Sequence, residues 1–143
     1  MDVLDVATAG VVVIDGSRVL LIEHGEGAGH ITGTWSVPAG AIDEDETARQ
    51  AAVRELAEET GLHVNAEALI ELPRLYESTV RRKSDVAHLS MRVFTTQSYE
   101  GSVTPSSEAI PAWVPLDDVP ALDSLLPNTA DVVRDAARAL GLM

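Results

Sequence analysis

Apolar and small residues fill Val6 to Ile14 almost without interruption, and a second apolar run covers Arg18 to Ile22. Asp15-Gly16-Ser17 between them is a turn signal, so the pattern predicts an opening β-hairpin. Gly25 to Gly33 carries four glycines in nine residues and predicts a flexible loop, placed either over a ligand or as a plain surface connection. Trp35 to Pro38 predicts a short strand, and Ala68 to Tyr76 another, interrupted by Pro73 as at an edge or bend. The clearest strand is Val86 to Thr96, where Leu89, Met91 and Val93 alternate with His88, Ser90 and Arg92. Pro105 to Pro111 predicts a loop, and Trp113 to Leu116 a short last strand in which Trp113 packs the core. Asn128 is a suitable N-cap for a closing helix that buries Val132, Val133, Ala136 and Leu140 and stops at Gly141.

One stretch, Gly40 to Leu62, does not fit a purely structural account. Thr47 and Gln50 have the spacing of a capping box, and Gly61 stands where a helix ends in a left-handed residue, so a helix is predicted over about Thr47 to Thr60. On it Ala48, Ala51, Ala52, Glu55, Glu58 and Glu59 follow the i, i+3, i+4, i+7 rule and share a face. Three glutamates on one packed stripe repel one another unless a counter-charge is supplied. A divalent cation answers that need, because hard cations take carboxylate oxygens.

The same stretch resembles the 23-residue box of the Nudix (MutT-type) hydrolases. Gly40, Glu46, Arg54, Glu55, Leu56, Glu58, Glu59, Gly61 and Leu62 fill its specified positions without a gap. Trp35-Ser36-Val37-Pro38-Ala39-Gly40 is similar to the family's W-x-x-P-G-G lead-in, with Ala39 in place of one glycine. The resemblance implies a single domain over residues 1–143, an α/β sandwich with a mixed sheet between helices. It implies a metal-dependent pyrophosphohydrolase that cleaves a phosphoanhydride in a nucleoside diphosphate linked to X. Nucleoside triphosphates are favoured, with ADP-ribose, nucleotide sugars and dinucleoside polyphosphates as alternatives. A non-catalytic domain that binds a nucleotide as a sensor is the rival, and retention of Glu55, Glu58 and Glu59 argues against it. Position by position, the resemblance implies Glu58 and Glu59 as principal ligands of Mg²⁺ or Mn²⁺, with Glu55 a further ligand or the base that activates water. It makes a backbone carbonyl of Ala39 or Gly40 a metal ligand, Arg54 the residue that orients the glutamates, and Glu46 a supporting group. Glu108 stands at about the place where many relatives carry a glutamate that reaches the metal or acts as base, and is otherwise a solvated loop carboxylate.

Composition narrows the partners. The chain has 143 residues, 45% of them hydrophobic, and no cysteine, which removes disulfides and thiolate metal sites. A net charge of −13 argues against binding nucleic-acid backbones. No apolar run approaches the ~20 residues of a membrane span. The expected partner is a small nucleotide-like substrate and the expected location cytoplasmic; a homodimer is common in the family. Arg81-Arg82-Lys83 is the densest positive cluster and either steers substrate phosphates or, the favoured reading, simply keeps a hairpin loop soluble; Arg92, on the polar side of its strand, is a comparable candidate. Trp35, Tyr76, Phe94 and Tyr99 are the aromatics available to stack on a base, although core or rim packing is the more common use of each. The histidines His24, His30, His63 and His88 lack metal-ligand spacing.

Overall fold

The computed structural model describes residues 2–81 and 84–143. The opening hairpin forms as predicted. Strand β1 (Asp2–Asp15) turns through Gly16, whose φ of 63° suits glycine, into β2 (Arg18–His24), with Ile14 paired to Val19 and Asp15 to Arg18. Two short strands follow, β3 (Trp35–Ser36) and β4 (Ala39–Ala41), then helix α1 (Ala48–Thr60). After it come β5 (Ile70–Glu71), β6 (Tyr76–Arg81), β7 (Asp85–Thr96), β8 (Ala109–Pro115) and helix α2 (Thr129–Ala139).

The sheet is mixed. Its spine is a parallel ladder of β1 and β7 running from Asp2 opposite Asp85 to Val13 opposite Thr96. β4 joins β1, and β5 and β6 join β7, all antiparallel. β8 runs antiparallel along the whole of β2, from Arg18 opposite Pro115 to His24 opposite Ala109. Pro111 is tolerated there because β8 lies at the sheet margin.

Residues 11–14 of β1 are fully buried on both faces, which explains their unbroken apolar run. On one face Val11, Val13, Leu20 and Phe94 pack against Ala51, Ala52 and Leu56 of α1. On the other, Val12, Ile14, Leu21 and Val93 pack against Val132, Val133 and Ala136 of α2. The result is the expected α/β sandwich. Trp113 packs partly buried on the α1 side, tilted against Tyr99 at 5.4 Å between ring centroids.

Four local expectations need correction. The Gly25–Gly33 segment is a tethered 3-10 turn (Glu26–Ile31) rather than a loose loop. β8 starts at Ala109, inside the expected loop, because β2 reaches His24 and offers it a pairing edge. The Pro73 interruption separates β5 from a full six-residue strand, β6. Asn128 occupies the N-cap position of α2 with φ 72° but does not cap it; its Nδ2 donates to the Glu77 carbonyl at 2.9 Å. Of the histidines, His24 gains a defined setting described below.

Candidate functional site

Helix α1 is fixed at both ends by its own sequence. The Thr47 side chain accepts from the Gln50 backbone amide and the Gln50 side-chain oxygen accepts from the Thr47 backbone amide, while Gly61 closes the helix at φ 83°. Ala51 and Ala52 are fully buried against the sheet, so the helix sits close and its last turns carry the glutamates to the edge of β4.

There Arg54 gathers the carboxylates. Its Nε and Nη2 donate to the two oxygens of Glu46 at 2.6 and 2.8 Å, a bidentate pair. Nη1 donates to Glu55 Oε1 at 2.8 Å and reaches Glu58 at 3.3 Å, and Nη2 also meets the Ala41 carbonyl at 3.0 Å. Asp43 lies 3.5 Å away. The Arg54 guanidinium and the Asp43 amide hold the Glu46 carboxyl down to about 2. The same carboxylates raise Arg54 above its already high value.

Glu59 is placed differently. Its Oε1 accepts from the Ala39 amide at 2.8 Å, joining α1 to β4. Burial, followed by the charges of Glu55, Glu58 and Glu108, pushes its carboxyl up to about 8 despite that hydrogen bond. Glu55 is also raised, chiefly by burial, against the lowering pull of Arg54. Glu58 is the most exposed of the three, its side chain 58% accessible. Glu108 stands just before β8 and contributes its charge to Glu59.

Two glycines make this geometry possible. A Cβ on Gly40 would fall 2.2 Å from Glu55 Cδ and 2.4 Å from both its oxygens, so the carboxylate occupies a cradle that only glycine leaves open. Gly10, opposite Ala39 in the β1–β4 ladder, explains how the chain tolerates alanine in the lead-in. A Cβ at Gly10 would meet the Ala39 methyl at 2.9 Å and the Pro38 carbonyl at 2.8 Å. The Ala39 methyl thus lies over a position that carries no side chain.

Among the described residues no three His, Asp or Glu side chains stand as a ready-made cation cage, and Arg54 holds Glu55 and Glu58. The donor set nevertheless fits a hard cation: all oxygens, one of them on a carboxyl whose ionisation is disfavoured without a counter-charge, beside a glycine cradle.

A cleft opens from Ala39 and Gly40 on the α2 side of the sheet. Val80, Leu89 and Met91 form an apolar wall, and Ser36, His24 and Asn128 add polar groups. His24 Nε2 and Ser36 Oγ share a 2.9 Å hydrogen bond, and burial lowers the His24 pKa, which disfavours the charged ring. The cleft explains why Leu89 and Met91 remain half-buried although they continue the apolar stripe of β7. Sequence reasoning singled out Ala39, Gly40 and Tyr76 among its members and missed the rest, which come from separated segments.

The expected substrate residues lie elsewhere. Arg92 is on the opposite side of β7 from Met91, toward Phe94 and α1. Arg81 is exposed at the end of β6, out of phase with the cleft-lining Tyr76, Ser78 and Val80. Its neighbours Arg82 and Lys83 lie outside the described residues. Trp35 packs against the α2-side core and exchanges backbone bonds with Ser124 and Leu126.

Comparison with known proteins bears on what this arrangement is. A family model described as NUDIX domain matches residues 5–136. A MutT-like protein of Streptomyces ambofaciens is 33% identical over 115 residues, covering 80% of this chain and 66% of that protein. The oxidized purine nucleoside triphosphate hydrolase of Mus musculus is 31% identical over 113 residues, covering 79% and 68% respectively. The chain therefore spans about two thirds of these relatives' length. The crystal structure of a MutT NUDIX hydrolase from Burkholderia pseudomallei shares the fold, with a TM-score of 0.77 at 20% identity over 92% of this chain and 97% of that one. With the family match spanning nearly the whole chain and the capped, glutamate-bearing helix at its centre, the chain belongs to the NUDIX family.

Proposed function

We propose that this chain is a divalent-metal-dependent pyrophosphohydrolase acting on a nucleoside diphosphate linked to X, with nucleoside triphosphates as the favoured substrates. The observation that carries the reading is the buried Glu59 carboxyl, crowded by Glu55, Glu58 and Glu108 and answered by the one guanidinium of Arg54. Such crowding is costly in a purely structural helix and useful in a cation site. The name of the mouse relative, an oxidized purine nucleoside triphosphate hydrolase, supports the choice of substrate.

Glu55, Glu58 and Glu59, with a backbone carbonyl of Ala39 or Gly40, would hold Mg²⁺ or Mn²⁺. Bound there, the cation would neutralise phosphate charge and supply Lewis acidity. The chain's own groups do the rest. Glu46 locks the Arg54 guanidinium by a bidentate pair, and Arg54 in turn fixes the orientation of Glu55. Arg54 engages Glu55 through Oε1, which leaves Oε2 either for the cation or for the proton of the attacking water, and its raised basicity suits the second task. Glu108, whose charge acts on Glu59, is the second carboxylate able to do so. The apolar wall of Val80, Leu89 and Met91 shelters the base of the nucleotide from water, with Ser36 and Asn128 as polar contacts.

Glu58→Gln tests the reading directly. Turnover falls by orders of magnitude and the Mg²⁺ requirement rises, while the melting temperature changes little. Wild-type turnover of Glu58→Gln at limiting Mg²⁺ would remove Glu58 from the ligand set.

A further inference from the structure

The glycine-rich turn after β2 is held against the segment that carries Glu108. The Gly25 amide donates to the Glu108 carbonyl at 2.9 Å, and the Gly27 amide donates to the Ser107 carbonyl at 2.9 Å. These bonds extend the β2–β8 ladder past its last pair, His24 opposite Ala109. On the other side, Ser106 Oγ accepts from the amides of Glu108 and Ala109 at 3.3 and 3.1 Å, and the Ser106 amide returns to the Ala109 carbonyl. The backbone of Glu108 is thereby fixed from both sides although its side chain is exposed.

The approach is close enough to require glycine. A Cβ on Gly25 would meet the Ser107 carbonyl oxygen at 2.5 Å. A Cβ on Gly27 would meet Glu108 Cγ at 2.9 Å and the Ser107 carbonyl at 3.1 Å. Neither residue has a positive φ, unlike Gly29 and Gly33 in the same segment, so backbone conformation does not demand glycine at 25 or 27. Proximity to Ser107 and Glu108 does.

We propose that Gly25 and Gly27 are positioning residues for Glu108, and that the glycine-rich turn is a clamp that sets this carboxylate against the α1 glutamates. The proposal rests on the reading of Glu108 as a member of the site. It assigns the turn a fixed task that neither a mobile cover nor a plain connection would have. An alanine at 27 shifts the Glu108 side chain through its Cγ, and an alanine at 25 displaces the strand lead-in through Ser107.

The test is a double-mutant cycle on Gly27→Ala, Glu108→Gln and the double variant, with two readouts: Mn²⁺ affinity by electron paramagnetic resonance, and kcat and KM on a nucleoside triphosphate. Gly27→Ala should weaken Mn²⁺ binding about as much as Glu108→Gln and lower kcat by roughly tenfold with KM within about twofold, and the double variant should be no worse than Glu108→Gln alone. Gly25→Ala, with its melting temperature recorded, should behave alike provided it folds. Additive losses would overturn the clamp, as would a Gly27→Ala protein indistinguishable from wild type. A silent Glu108→Gln in both readouts would overturn it by removing Glu108 from the site. If no variant or wild type hydrolyses any phosphoanhydride while the Mn²⁺ affinities remain coupled, the hydrolase reading fails and the clamp stands.

Discussion

Replacing Glu59 with glutamine should make the cation-free protein more stable while destroying its response to metal. The wild-type carboxyl ionises at about 8 in the fold, against 4.5 for an ordinary glutamate. A carboxyl raised on folding contributes fully below about 4.5, and stability falls as pH rises from there to about 8, because the unfolded chain releases the proton first. At about 1.4 kcal/mol per pH unit, the penalty reaches roughly 3 kcal/mol at pH 7 and on the order of 5 kcal/mol above pH 8. Glutamine carries no such penalty, and its amide oxygen can still accept from the Ala39 amide. In EDTA, Glu59→Gln should therefore melt about 10 °C above wild type at pH 8, and the two should converge near pH 5. With a cation at about 100 times its Kd, wild type should regain about 2.7 kcal/mol while the variant gains little. Thermal denaturation over pH 5 to 9, with EDTA and with Mg²⁺, reads both effects. A gap that does not change with pH, or a variant that melts below wild type in EDTA at pH 8, would refute the reasoning.

The same linkage predicts that Mg²⁺ or Mn²⁺ binding at pH 7 releases about one proton, measured by calorimetry in buffers of different ionisation enthalpy; zero release would mean Glu59 is already ionised. Gly40→Ala should push Glu55 out of its cradle and weaken metal binding by at least about tenfold with a smaller effect on melting temperature, as a side chain 2.2 Å from Glu55 Cδ demands. Arg54→Lys keeps the charge but cannot make the bidentate pair to Glu46 together with the bond to Glu55, so kcat should fall at least about tenfold; an unchanged kcat would show that charge alone suffices.

The parts of this molecule that were legible in the chain are those whose causes are local. The capping box at Thr47 and Gln50, the left-handed Gly61 and the hairpin turn at Gly16 each depend on residues within a few positions, and each forms as expected. The carboxylate stripe was legible for the same reason, since helical spacing places Glu55 and Glu59 together. What distant segments decide was not. The glycine-rich turn is ordered by bonds to Ser107 and Glu108, some 80 residues on, which no local pattern announces. Asn128 has the composition of an N-cap, yet its amide is taken by the carbonyl of Glu77. The alternation of β7 correctly separates Met91 from Arg92, but whether that apolar face meets core or an open cleft depends on where α2 begins. The tolerance of Ala39 became visible once the sheet register set it opposite Gly10.

The central claim is tested most directly by offering the purified protein a panel of phosphoanhydrides with Mg²⁺ or Mn²⁺ and identifying the products. The panel holds common and oxidised nucleoside triphosphates, ADP-ribose, nucleotide sugars and diadenosine polyphosphates. Metal-dependent release of a nucleoside monophosphate, fastest from a nucleoside triphosphate and abolished by EDTA, is the expected result. Tight binding of a nucleotide with no turnover of any member, while the cation is bound, would contradict it and make the chain a sensor.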